Sequence, residues 1–215
     1  MKDLLESHLT GEQRQILRGL DTPRKIQDYL DDTPYSPEYA NRCPLQVMND
    51  HLAHCLDGAL FAAAALRRIG YPALLLDMFP EPGMDDDHVL AIFEQNGRFG
   101  AVAKSNFVGL RYREPVYRGL RELVMTYFEQ FFNVNGVKTL RTYTRPLDLA
   151  RFDRLGWEFT RRGADAIEKA LLARKRIPLV TPAMTATLSP ADELTYKAGL
   201  MVANYDGLYK PQAKE

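Results

Sequence analysis

The stretch His54-Cys55-Leu56-Asp57-Gly58-Ala59-Leu60-Phe61-Ala62-Ala63-Ala64-Ala65-Leu66-Arg67-Arg68-Ile69-Gly70 decides how the rest of the chain is read. It predicts one short buried helix with a thiol in its first turn. Four consecutive alanines carry the highest helix propensity, and no proline interrupts them. Gly70 follows the last periodic residue, where a left-handed stop is cheapest for glycine. Arg67 and Arg68 fall in the last turn, where cations suit the helix dipole. Cys55 lies at the opposite, positive end. Free backbone N–H groups and the dipole stabilise a thiolate there, so its pKa is expected to fall. The alternative for the same sulfur is a small buried hydrophobe. Asp57 reads as a solvated first-turn acid or a local cap.

Working outward, 215 residues with 46% hydrophobic and 26% charged content suit one domain of an ordinary soluble protein. The 28 basic and 28 acidic residues cancel, which argues against nucleic acid or an anionic membrane as partner. Arg-rich stretches such as Arg111-Tyr112-Arg113-Glu114 carry interleaved acids and read as solvated faces. Cys43 and Cys55 do not make a disulfide framework in a chain of this length. The N-terminal residues lack the apolar core of a signal peptide. The longest apolar run, Ala59 to Leu66, is too short to span a bilayer. The expected location is a reducing cytoplasm.

Along the chain, helices are expected over 3–8, 11–20 and 23–30, with one helical turn near 45–49. Strands are expected over 71–78 and 88–94, with a returning strand over 98–105 across Asn96-Gly97, a strong hairpin signal. Residues 114–132 read as a long amphipathic helix, with Leu120, Val124, Tyr127, Phe128 and Phe131 on one face. A strand over 138–143, helices over 147–157 and 164–174, an irregular segment over 178–190 and a last helix to Val202 follow. The tail after Tyr209 is expected to fray.

A two-residue turn sets hairpin register. If Gln95 pairs with Arg98, His88 stands opposite Ser105, with Lys104 and Asn106 beside it. A histidine acting as base needs a partner on its other ring nitrogen to hold one tautomer. The alternative for His88 is a surface histidine paired with one of Asp85, Asp86 and Asp87.

The order of features resembles the transglutaminase-like superfamily, relatives of the papain-type cysteine peptidases. The residues that carry the resemblance are Cys55-Leu-Asp-Gly-Ala opening an alanine-rich helix, Arg68-Ile-Gly-Tyr-Pro-Ala leading into a strand, and His88 opening the next strand. The matching segment runs from about Thr22 to Asn106. The resemblance implies an α+β fold: a papain-like core over about 22–110, with the Cys-bearing helix packed on a small antiparallel sheet. A helical extension over about 114–205 completes the single domain. It implies Cys55 as thiolate nucleophile and His88 as the base that shuttles its proton. The chemistry implied is acyl transfer or hydrolysis at an amide bond, with a peptide or another amide as substrate and no cofactor. Where the family usually has an aspartate to orient the histidine, this chain reads Ala103-Lys104-Ser105-Asn106. Ser105 or Asn106 is therefore the candidate orienter. Asn49, with the Cys55 backbone N–H, is the candidate oxyanion donor.

Two other functions compete. A binding module would keep this fold without the chemistry, a reading motivated by the absent carboxylate. A metal site would draw on His51, His54, Cys55, Asp57 and His88, which are ligand types for zinc, although no paired Cys-x-x-Cys spacing accompanies them.

Overall fold

The computed structural model describes residues 5–211. Helices α1 (Gly11–Gly19), α2 (Pro23–Asp32), α3 (Pro44–Asp50) and α4 (Cys55–Arg68) come first. Strands β1 (Leu74–Pro80), β2 (His88–Gln95), β3 (Arg98–Val102) and β4 (Arg113–Tyr117) follow, and then helix α5 (Leu120–Met125). Strands β5 (Leu140–Thr144) and β6 (Leu147–Asp148), helix α6 (Arg161–Leu172), strand β7 (Arg176–Pro178) and helices α7 (Pro182–Thr185) and α8 (Glu193–Gly199) complete the chain. Short 3₁₀ turns link several of these. The first expected helix survives as one such turn, Leu5–His8, and residues 3 and 4 of that expectation lie outside the described residues.

The strands form one seven-stranded antiparallel sheet in the order β4-β3-β2-β1-β5-β7, with β6 also pairing β1. The fold is therefore α+β. Both faces are covered. Leu75, Val89, Ala91, Phe93 and Val102 belong to the core on the α4 side. Leu76, Met78, Leu90, Ile92 and Ala101 belong to the opposite core, with Leu123, Val124, Tyr127 and Phe131. Alternate residues of β1 and β2 serve different cores, which explains why both strands read as continuous apolar runs.

Helix α4 is buried all round from Leu56 to Leu66. Alanines on its flanks let it lie close to the sheet and to neighbouring helices. Phe61 is its one large anchor, fully buried and stacked on Tyr29 with ring centroids 4.7 Å apart. Burying a side chain of that size contributes about 2 kcal/mol.

Two expectations are corrected. The helix foreseen over 114–132 is instead β4, α5 and a 3₁₀ turn. Pro115 lies in β4, an edge strand, where its missing N–H goes unmissed. The apolar residues foreseen on one face do face a core, since Val124, Tyr127, Phe128 and Phe131 are buried. The segment foreseen as a helix over 147–157 is β6 followed by a 3₁₀ helix over Leu149–Leu155. The foreseen helical extension thus also supplies strands to the sheet. The expected fraying tail falls largely on residues 212–215, outside the described residues.

Candidate active site

Cys55 is the first residue of α4, and His54 is its N-cap. The His54 imidazole accepts from the Leu56 N–H through Nδ1 at 3.2 Å, and the Asp57 carboxylate accepts from the His54 N–H at 3.2 Å. Asp57 is not the solvated acid expected of a first turn. It is fully buried and also accepts the Arg42 backbone N–H at 2.6 Å. The Arg42 guanidinium donates to Ser36 and pairs with Asp50 and Glu38. Burial pushes the Asp57 carboxyl up to about 7, opposed by the N–H groups of Arg42 and His54 and by the guanidinium. Burial holds His54 down at about 4, helped by Arg42. These contacts tie residues 36–42 to the start of α4. A parallel bridge between Tyr35 and Ala53 continues the same seam.

His88 opens β2, paired with Met78 of β1. Its ring is 4% exposed and sits edge-on to Tyr127 and Phe131. Nε2 lies 2.7 Å from the Leu110 carbonyl oxygen. A carbonyl only accepts, so the proton resides on Nε2 and Nδ1 carries the lone pair. Burial, reinforced by the positive charge of Arg113 and opposed by the Leu110 hydrogen bond, takes the imidazole down to about 4. It is a neutral base across the physiological range.

The hairpin register is as foreseen: Gln95 pairs with Arg98 and Ala91 with Val102 across Asn96-Gly97, both at positive φ. Strand β3 stops at Val102, however, and His88 has no partner at Ser105. The Gln27 side chain takes the next position, exchanging two 3.0 Å bonds with the backbone of Ala103. Lys104 turns its amine onto the carbonyls of Leu30 and Thr33. Ser105 accepts the Phe107 N–H. Asn106 makes a two-way pair with the Asn204 backbone at 2.8 and 2.7 Å. Neither residue orients His88 through a hydrogen bond; the Leu110 carbonyl does. Ser105 and Asn106 do line the cavity in which His88 sits.

Asn49 is not brought to the site. It is exposed on α3, and its side chain accepts from Gln13 at 2.7 Å. Tyr35, not Asn49, lies beside Cys55. Burial and the nearby Cys55 sulfur hold the Tyr35 phenol well above its ordinary range, with the Cys55 backbone N–H acting in the opposite sense.

Cys55 and His88 line one small cavity of about 50 Å³, together with Tyr35, Asp87 and Leu110. The Cys55 thiol is 3.7 Å from the Asp87 carbonyl oxygen, to which it donates. A second cleft of about 120 Å³ adjoins the first at Tyr35 and Cys55. The expected fall in the Cys55 pKa is reversed. Burial, then the charges of Asp87 and Asp86, with Asp77 further back, push the thiol well above its ordinary value. Cys43, the other cysteine, is fully buried and pushed up by burial.

The chain matches no protein-family model and no curated protein.

Among the described residues, no group of three or more His, Cys, Asp or Glu side chains is arranged to hold a metal ion. His51 stands exposed at the left-handed end of α3, and His54 is committed to capping α4. Also among the described residues, no helix is long and apolar enough to cross a membrane.

Three contributors have no signal in the sequence pattern: Tyr35, the Leu110 carbonyl, and the segment around Gly207 and Tyr209, two residues that line both cavities. A backbone carbonyl has no sequence signal. Tyr35 lay in a turn-rich stretch, and only the bridge to Ala53 places it.

Proposed function

We propose that the chain is a transglutaminase-like cysteine enzyme with a papain-like core, transferring or hydrolysing an acyl group at an amide bond. One observation carries the reading. Cys55, at the start of a buried helix, and His88, with its proton fixed on Nε2, line the same cavity.

The steps follow from these groups. His88 Nδ1 accepts the Cys55 proton as sulfur attacks the amide carbonyl carbon. The carbonyl oxygen becomes an oxyanion, held by the Cys55 N–H and the Tyr35 hydroxyl. The imidazolium returns its proton to the leaving amine, the C–N bond breaks, and a thioester on Cys55 remains. Water, or a second amine, attacks the thioester with His88 again as base, and the thiol is restored. The Leu110 carbonyl does the work of an orienting residue. It stabilises the imidazolium less than a carboxylate does, so slow turnover is expected.

A specific observation favours a second reading, a binding module of the same fold. The raised pKa of Cys55 keeps it a thiol at rest. The activated ester p-nitrophenyl acetate separates the two. The enzyme reading predicts a burst of p-nitrophenol with the acetyl group on Cys55, absent from Cys55→Ala. A burst of equal size in folded Cys55→Ala contradicts it.

A further inference from the structure

Asn106 is 5% exposed and lines the cavity that holds Cys55 and His88. Its amide donates to the Asn204 carbonyl at 2.8 Å, and its side-chain oxygen accepts the Asn204 N–H at 2.7 Å. One side chain thus satisfies both backbone groups of a single residue, as a neighbouring strand would. Contacts of this kind hold a main chain whatever its side chains, so they suit an extended peptide. Gln27 does the same for Ala103, but there both partners are fully buried inside the fold. At Asn106 the chain that is held is half-buried and continues along the candidate site.

Residues 204–209 run past both cavities. Asp206 lines the outer cleft, Leu208 the inner cavity, and Gly207 and Tyr209 line both. A Cβ built on Gly207 would stand 3.0 Å from the Tyr35 ring, so the segment passes directly against the residue assigned to the oxyanion. Little fastens it. Among the described residues, every hydrogen bond from residues 204–211 to the rest of the chain is made by Asn204. These are the pair with Asn106 and one from its side-chain amide to the Tyr35 carbonyl at 3.0 Å. The remaining bonds of the segment are internal, and Tyr205 is 68% exposed. The inner cavity of about 50 Å³ that it walls off has room for a few water molecules, not for a stretch of peptide.

We propose that Asn106 is a substrate-binding residue that pairs with the backbone of an extended peptide, and that residues 204–209 occupy that peptide's place in the resting chain. This rests on the acyl-transfer reading and names its substrate class: a peptide in extended form, held by main-chain bonds beside the amide on which Cys55 acts. The segment leaves by breaking the three bonds of Asn204, and an incoming peptide remakes the two to Asn106. Segment and peptide therefore compete, and the chain binds peptide more weakly by the fraction of molecules in which the segment is seated.

The test compares the full chain with three full-length variants, using biotin-maleimide labelling of Cys55 and a fluorescein-labelled peptide of residues 203–209 with blocked ends. Asn204 has φ −78°, which a proline ring accepts, so Asn204→Pro removes the N–H and the side-chain amide without forcing the backbone. Gly207→Leu unseats the segment by another route, through the Tyr35 ring. In both, Cys55 labelling is expected to quicken by about tenfold or more, and the peptide to bind about tenfold or more tightly than to wild type by fluorescence anisotropy. Asn106→Ala also frees the segment, so its Cys55 is labelled faster, yet it binds the peptide no better than wild type does. Three results overturn the proposal: labelling unchanged in both Asn204→Pro and Gly207→Leu, peptide binding that neither of them improves, or improved binding in Asn106→Ala. The p-nitrophenyl acetate burst keeps the two claims apart. A burst without a gain in peptide binding sinks the substrate class alone. A gain in peptide binding without a burst upholds the peptide site and sinks the enzyme reading.

Discussion

At Cys55 two electrostatic effects oppose each other. The start of α4 offers free N–H groups and a positive dipole end, an advantage of at most about 2 kcal/mol. Against it stand burial and the charges of Asp87 and Asp86, and these win. The resting site therefore holds a neutral thiol and a neutral imidazole on the walls of one cavity, not a preformed ion pair. This predicts a pH profile. With the thiol pKa raised above its ordinary value, the rate of Cys55 alkylation by iodoacetamide should keep climbing through pH 9. His88, held at about 4, adds no step between pH 5 and 8. A plateau from pH 5 to 8, measured by mass spectrometry of the Cys55 peptide, contradicts this. The position of the thiol was legible because a helix start is written locally. Its acidity was not, because Asp77 and Asp87 meet it only through the sheet.

At the scale of elements, α4 and the hairpin were both legible, since each rests on local signals: an alanine run closed by Gly70, and Asn96-Gly97 at positive φ. What ended the hairpin was not. Gln27 of α2 imitates a strand partner at Ala103, and Lys104 leaves to bind the carbonyls at the end of α2. No pattern within residues 98–106 announces a competitor from residue 27. The same crossing constrains α4. A Cβ built on Gly58 would stand 2.2 Å from the Lys104 Cβ, which is too close for any real contact. Gly58→Ala is therefore expected to cost about 1–3 kcal/mol despite alanine's better helix propensity. The loss should appear as a lower urea midpoint with an unchanged m-value. A stabilised Gly58→Ala protein would show that Lys104 is free to move.

At the scale of the whole molecule, the α+β class is the one the resemblance implied, and the sheet with its helices bears it out. The breadth of the sheet was not legible. Strands β4 to β7 are short, and three of them pair with strands distant in sequence, so their apolar residues read as helix faces or loops. The sheet also explains why a buried acid persists. Asp77 lies on the central strand β1, and burial lifts its carboxyl well above the ordinary range. The folded chain thus holds a proton there that the unfolded chain releases once pH passes the ordinary aspartate value of about 3.9. Its penalty is absent in acid and grows as pH rises towards the raised folded value. Asp77→Asn should therefore gain stability over wild type as pH rises from 4 to 8, seen in urea titrations across that range. A difference independent of pH contradicts this. The central claim, however, is the pairing of Cys55 with His88. Its most direct measurement is the rate of Cys55 acetylation by p-nitrophenyl acetate at pH 7 in His88→Gln. Glutamine keeps a donor for the Leu110 carbonyl but is not a base. A fall of about a hundredfold or more, with an unchanged circular dichroism spectrum, is the predicted result. An unchanged rate would contradict it.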